Sequence, residues 1–157
     1  MTTGTARNLV GGGIALLAAL GSARPLYPQI GVGTWVRKAA PSMPTMTMEV
    51  EACCGGGRRL TYHVDVNGTV TIMKIDSKFD GSEAPVLING KPSGETMSIK
   101  KVDDHHITTT MTMSGKPFGT SKATLSADGK TLTVLNDYST SMGGGPVGKS
   151  TEIWVKK

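Results

Sequence analysis

A chain of 157 residues, 38% of them hydrophobic, has the material for one domain with a buried core and too little for two ordinary ones. Its formal net charge of +5 comes from lysines and arginines scattered along the sequence without a block, and only 4% of its residues are aromatic. With no basic stripe and few rings to stack on bases, a nucleic-acid binder is excluded; the charge reads as a solvated outer surface.

Residues Met1 to Ala23 are unlike the rest. Arg7 is their only charge, Leu9 to Leu20 is apolar or glycine throughout, and Gly21-Ser22-Ala23 offers small residues at the exit. This reads as a signal peptide removed on export, placing the mature protein in the periplasm or outside the cell. A spanning helix needs roughly 20 apolar residues, so no stable membrane insertion is expected once the leader is gone. Pro25, Pro28, Pro41 and Pro44 then make residues 24–42 an extended lead-in, with a short first strand at Thr34 to Arg37. Residues 43–157, with 33–37, form the single folded domain.

From Thr45 onward apolar and polar residues alternate with the period of a strand. In Thr45 to Glu51, Met46, Met48 and Val50 share one face; in Arg58 to Val66, Leu60, Tyr62, Val64 and Val66 share one. Between them Cys53-Cys54-Gly55-Gly56-Gly57 forms a hairpin tip. Adjacent cysteines cannot staple distant segments, and a vicinal disulfide, a partial metal site and two free thiols all stay open. In Thr69 to Ser77 the parity of Val70 and Ile72 gives way to that of Met73 and Ile75, which predicts a bulge near Ile72.

Ala84 to Ile88 is a short strand, and Thr96 to Val102 another with Met97 and Ile99 inward. Asp104 to Ser114 is long, with His105, Ile107, Thr109, Met111 and Met113 on its inner face. Pro117 to Ser126 turns Ala123 and Leu125 inward, Lys130 to Tyr138 turns Leu132 and Val134 inward, and Lys149 to Lys156 turns Ile153 and Val155 inward. Asn67-Gly68, Asp80-Gly81, Asn89-Gly90, Ser114-Gly115 and Asp128-Gly129 are dipeptides suited to the positive φ of tight hairpins. Ser139 to Gly148, with its glycine triplet, is a mobile loop. The set describes an all-β, antiparallel up-and-down meander of about nine or ten strands, closed as a barrel, with a β-sandwich as the alternative.

Gly33-Thr34-Trp35 at the first strand, the hairpin succession, and the later segments Lys78-Phe79-Asp80-Gly81, Ser126 to Thr133 and Glu152-Ile153-Trp154-Val155-Lys156 resemble lipocalin-like and fatty-acid-binding-protein-like barrels of the calycin type, including small exported bacterial proteins of that kind. The resemblance covers Gly33 to Lys157. It implies a structural Trp35 at the closed end of the barrel and an interior that binds a ligand. Two departures stand out: the Arg-x-Tyr pair that holds a fatty-acid carboxylate is absent from the last strand, and no cysteine pair matches the lipocalin disulfide.

The Thr-Met-Thr-Met sequence occurs at Thr45 to Met48 and again at Thr110 to Met113, which sends four thioethers inward as a soft apolar lining. The residues expected to meet a small hydrophobic or amphipathic ligand are Met46, Met48, Tyr62, Met97, Ile107, Met111 and Met113. Two other readings compete with this one: a solid barrel serving as a structural or protein-interaction module, and a Cu(I) site made by the methionines with His105. His105 and His106 point to opposite faces, His63 points outward, and neither a zinc spacing nor a nucleophile–base pair is visible. No catalytic residue, no metal ligand and no cofactor is therefore assigned, and the oligomeric state is left open.

Overall fold

The structure, a computed structural model, describes residues 30–39, 43–141 and 147–157; the expected leader, Met1 to Ala23, lies outside them. Ten strands run in chain order: β1 Gly33–Lys38, β2 Thr45–Cys53, β3 Gly57–Val66, β4 Thr69–Ser77, β5 Asp80–Ile88, β6 Lys91–Lys101, β7 His106–Met113, β8 Lys116–Leu125, β9 Thr131–Tyr138 and β10 Gly148–Lys156. Each pairs antiparallel with the next, and β1 pairs with β10 to close the barrel, so no edge strand is left exposed. Closure decides between the two architectures read from the sequence: the meander is a barrel and not a sandwich.

The hairpin chemistry works as the dipeptides require. Asn67, Asn89 and Ser114 have φ of 52°, 50° and 49°, each followed by a glycine at positive φ, the signature of two-residue turns whose twist matches the strands. Asp80-Gly81 is the exception. It opens β5, and the turn falls one step earlier at Lys78-Phe79, with Phe79 at φ 62°. Asp80 instead caps its own strand, accepting from Ser82 N at 2.9 Å.

The expected bulge at Ile72 is absent. Register between β3 and β4 runs unbroken from Arg58↔Ser77 to Val66↔Thr69, and Val70 and Ile72 simply face outward, 51% and 40% exposed. The register shifts lie elsewhere, in the β5–β6 ladder and between Met111 and Thr112 where β7 meets β8. β5 and β6 also start earlier than their apolar residues indicate, at Asp80 and Lys91. Val66, read as inward, is exposed at the end of β3. On β10 the parity is the reverse of that expected: Trp154 is buried within and Ile153 faces solvent. Between β4 and β5 the ladder is short, holding only at Met73↔Ile88 and Lys74↔Leu87.

The core is one cluster that takes residues from every strand except β7, with Trp35, Met48, Val50, Ile75 and Val86 essentially sealed from solvent. Gly57 lets β3 and β4 approach at the lower turn; a Cβ there would stand 2.1 Å from the Ser77 carbonyl oxygen. Cys53 and Cys54 form a vicinal disulfide at this hairpin tip, which settles the three readings left open by the sequence. A bond between neighbours restricts few unfolded conformations, because the stabilisation scales with the loop it closes. Reduction is accordingly expected to move the melting midpoint by less than about 2 °C, with intact mass confirming the gain of about two mass units. A larger drop would mean that the bond organises the β2–β3 turn.

Candidate ligand cavity

Because residues alternate across each strand, one face of all ten strands looks into a single interior, and that interior is not completely filled. A cavity of about 180 Å³ remains. It is slightly larger than an apolar hole of about 150 Å³ that admits benzene and smaller than the roughly 300–1,000 Å³ of drug-sized sites.

Its lining has two characters. Met46 and Met48 from β2, Met73 from β4, Met97 from β6 and Met111 from β7 supply five thioethers. Unbranched and polarisable, such side chains adjust their rotamers to whatever shape occupies the space. Tyr62 from β3, Ser121 from β8, Asn136 and Tyr138 from β9, and Glu152 and Trp154 from β10 supply hydroxyl, amide, carboxylate and indole groups. The polar wall is built by register. Ser121, Asn136 and Ser150 are neighbours across three strands, and so are Gly119, Tyr138 and Gly148. Glycine on both sides makes room for the Tyr138 ring; a Cβ on Gly119 would meet its Cδ1 at 2.7 Å.

Glu152 anchors this wall. One carboxylate oxygen accepts from Arg37 NH1 at 3.1 Å and the other from Trp154 Nε1 at 3.2 Å. Arg37 in turn donates to the Pro44 carbonyl at 2.8 Å, tying the pair to the β1–β2 connection. Its side chain is 9% exposed, and its Nε has no partner among the described residues. Tyr62 meets Trp154 edge to face with centroids 5.8 Å apart. Burial pushes the Tyr62 hydroxyl far above the usual phenol range, with the Glu152 charge adding to the shift. Burial likewise raises Tyr138, helped by the charges of Glu152 and Glu95. Both phenols stay protonated, so each both donates and accepts.

Of the seven residues expected to face a ligand, Met46, Met48, Tyr62, Met97, Ile107 and Met111 border the cavity. Met113 does not; it lies at the end of β7 beyond the register shift, half-buried beside Gly94. His105 is a correction: it precedes β7, is exposed, and turns its Nδ1 to the Leu125 carbonyl at 3.0 Å. It therefore does not join the methionines, and the copper arrangement is not assembled. Among the described residues, histidine, cysteine and carboxylate ligand atoms converge in a group of three only at Cys53, Cys54 and Asp76. There the sulfurs are bonded to each other, and Arg59 grips the Asp76 carboxylate at 2.7 and 2.8 Å, drawing its pKa down chiefly through that hydrogen bond.

Sequence reasoning missed Asn136, Tyr138, Glu152 and Trp154. Continuing the parity of Leu132 and Val134 by two steps lands on Asn136 and then Tyr138. Glu152 and Trp154 gave no such signal, because a charged residue is read as outward until its internal partner is known.

Glu95 on β6 stands half-buried opposite Met113 with no cation in salt-bridge reach among the described residues, and burial pushes its carboxyl up. A carboxyl raised in the fold stabilises fully in acid, below the unfolded value, and loses that contribution as pH rises through the folded value. Glu95→Gln is therefore expected to melt higher than the native chain at about pH 7 and to lose that advantage near pH 4. Equal gaps at the two pH values would assign the change to packing instead.

No family model and no curated protein sequence matches the chain. Among solved structures, a point mutant of the fluorescent protein UnaG superposes with a TM-score of 0.54 at 14% sequence identity, covering 82% of this chain and 96% of that one. At this identity the likeness is one of fold. The chain has a calycin-like barrel fold.

Proposed function

We propose that the protein is a carrier or scavenger that encloses a small hydrophobic or amphipathic molecule within its barrel, acting outside the cytoplasm after loss of a leader ending at Ala23. The observation that carries the reading is a cavity whose lining combines five methionines with hydroxyl, amide and carboxylate groups. A barrel serving only as a scaffold gains nothing from leaving about 180 Å³ empty next to a buried amide and two half-buried phenols. The reading is of a binder and not an enzyme: Glu152, the carboxylate in the cavity, is engaged by Arg37 and Trp154 and not aimed at a nucleophile.

Protein purified from its native host and extracted with organic solvent should release a stoichiometric low-mass compound detectable by mass spectrometry. Readdition of the extract should raise the melting temperature, since a molecule bound only by the native state stabilises it by mass action. Empty extracts and no thermal response would favour the solid-module alternative. N-terminal analysis of the same material tests export, the expected first residue being Arg24.

A further inference from the structure

Resting on the carrier reading, the geometry points to a ligand with a protonated amine head and a compact apolar body, the head seated at Glu152 between Tyr62, Tyr138 and Asn136 and the body among the methionines.

The argument begins with what the polar wall presents. Glu152 borders the cavity and Arg37 does not, so an entering head group meets the carboxylate and not the guanidinium. Each Glu152 oxygen holds one protein donor, from Arg37 or Trp154, which leaves acceptor capacity on both. Asn136 is 6% exposed, with no side-chain hydrogen bond to another described residue, and its amide carbonyl supplies a further acceptor. The two phenol oxygens accept as well.

Charge makes the same choice. The Arg37–Glu152 pair cancels, and Glu95, behind Tyr138 and outside the cavity lining, is a second carboxylate with no cation in salt-bridge reach among the described residues. Burial raises the Tyr138 hydroxyl, and the carboxylates of Glu152 and Glu95 raise it further. The ionised group that faces the cavity is therefore a carboxylate, inside a chain whose formal net charge is +5, and burial strengthens its field. A carboxylate head would face this field, whereas an ammonium offers three donors to the carboxylate, amide and phenol acceptors.

Size narrows the class further. A cavity of about 180 Å³ fits a body of benzyl dimensions, and methionine movement extends it to a single medium-length alkyl chain.

Three probes that share one chain and differ only in the head decide the matter: n-octylamine, n-octanol and octanoate, titrated near pH 7 by calorimetry and by tryptophan fluorescence, Trp154 being in the wall. Octylammonium is expected to bind at least about tenfold more tightly than octanol, with octanoate weakest. Glu152→Gln should erase the preference for the amine while changing octanol affinity by less than about twofold. Glu95→Gln leaves the Arg37–Glu152 pair intact and should weaken octylammonium alone, which keeps the test sound if the first variant folds poorly. Equal binding of amine and alcohol, or octanoate binding best, would overturn the amine assignment and leave the carrier reading standing. Failure of all three probes to bind would also overturn the amine assignment, and the carrier reading would then stand or fall by the solvent extraction.

Discussion

Trp35→Ala is expected to cost about 3–5 kcal/mol, the range for truncating a fully buried aromatic. Trp35 is 0% exposed, and its indole nitrogen donates to the Gly31 carbonyl at 3.1 Å. It also lies on the closing strand, with Met48 of β2 on one side and Lys156 of β10 on the other. The vacancy would be bounded by the ladder that closes the barrel, where the backbone has little freedom to collapse. Set against a total of about 5–15 kcal/mol for a domain, such a loss leaves a marginal fold. Urea unfolding should show a much lower midpoint with little change in slope, and Trp35→Phe should lose far less. A shift below about 1 kcal/mol for the alanine variant would remove Trp35 from the core of the argument.

The second large effect concerns the Arg37–Glu152 pair. Removing one member of a buried ion pair leaves the other charge without compensation, at about 3–5 kcal/mol where burial is complete. Glu152 keeps 27% side-chain exposure, so Arg37→Met is expected at the lower part of that scale, about 2–3 kcal/mol. Pairing it with Glu152→Leu should recover most of the loss, because two apolar side chains of similar volume remove the stranded charge. The double-mutant cycle should therefore show strong positive coupling. Additive effects would mean that solvent already screens the carboxylate. In that event the negative wall inferred for the ligand head would also be weak, so the stability cycle and the probe titrations check each other.

Residue patterns disclosed the barrel because most strands are apolar on one face only. β2 and β7 alternate cleanly, and Asn67-Gly68, Asn89-Gly90 and Ser114-Gly115 place three of the turns without reference to anything distant. Legibility failed where both faces carry apolar residues. Val70 and Ile72 against Met73 and Ile75 mimic a bulge, and Ile153 and Val155 outvote a single Trp154. It failed again where polar residues enter the interior. Asp80 to Glu83 extend β5 although none is hydrophobic enough to announce a strand, and the charge of Glu152 is balanced by Arg37, a residue 115 positions away. The methionine half of the cavity was open to inspection in the sequence; the polar half depended on register between β8, β9 and β10, which local composition does not specify.

The pairing of β1 with β10 has a kinetic side. Nine of the ten ladders join neighbours along the chain and can zip as hairpins, whereas the tenth must bring Trp35 to Lys156 across nearly the whole sequence. Until that happens the meander is an open sheet with two raw edges, and the Arg37–Glu152 pair does not exist. Contacts of such long separation slow folding, placing closure in the millisecond-to-second range typical of all-β domains. A nascent chain would thus hold an incomplete cavity until its last strand emerged from the ribosome, and the window between synthesis and closure is when this protein would be most open to aggregation or to capture by a chaperone.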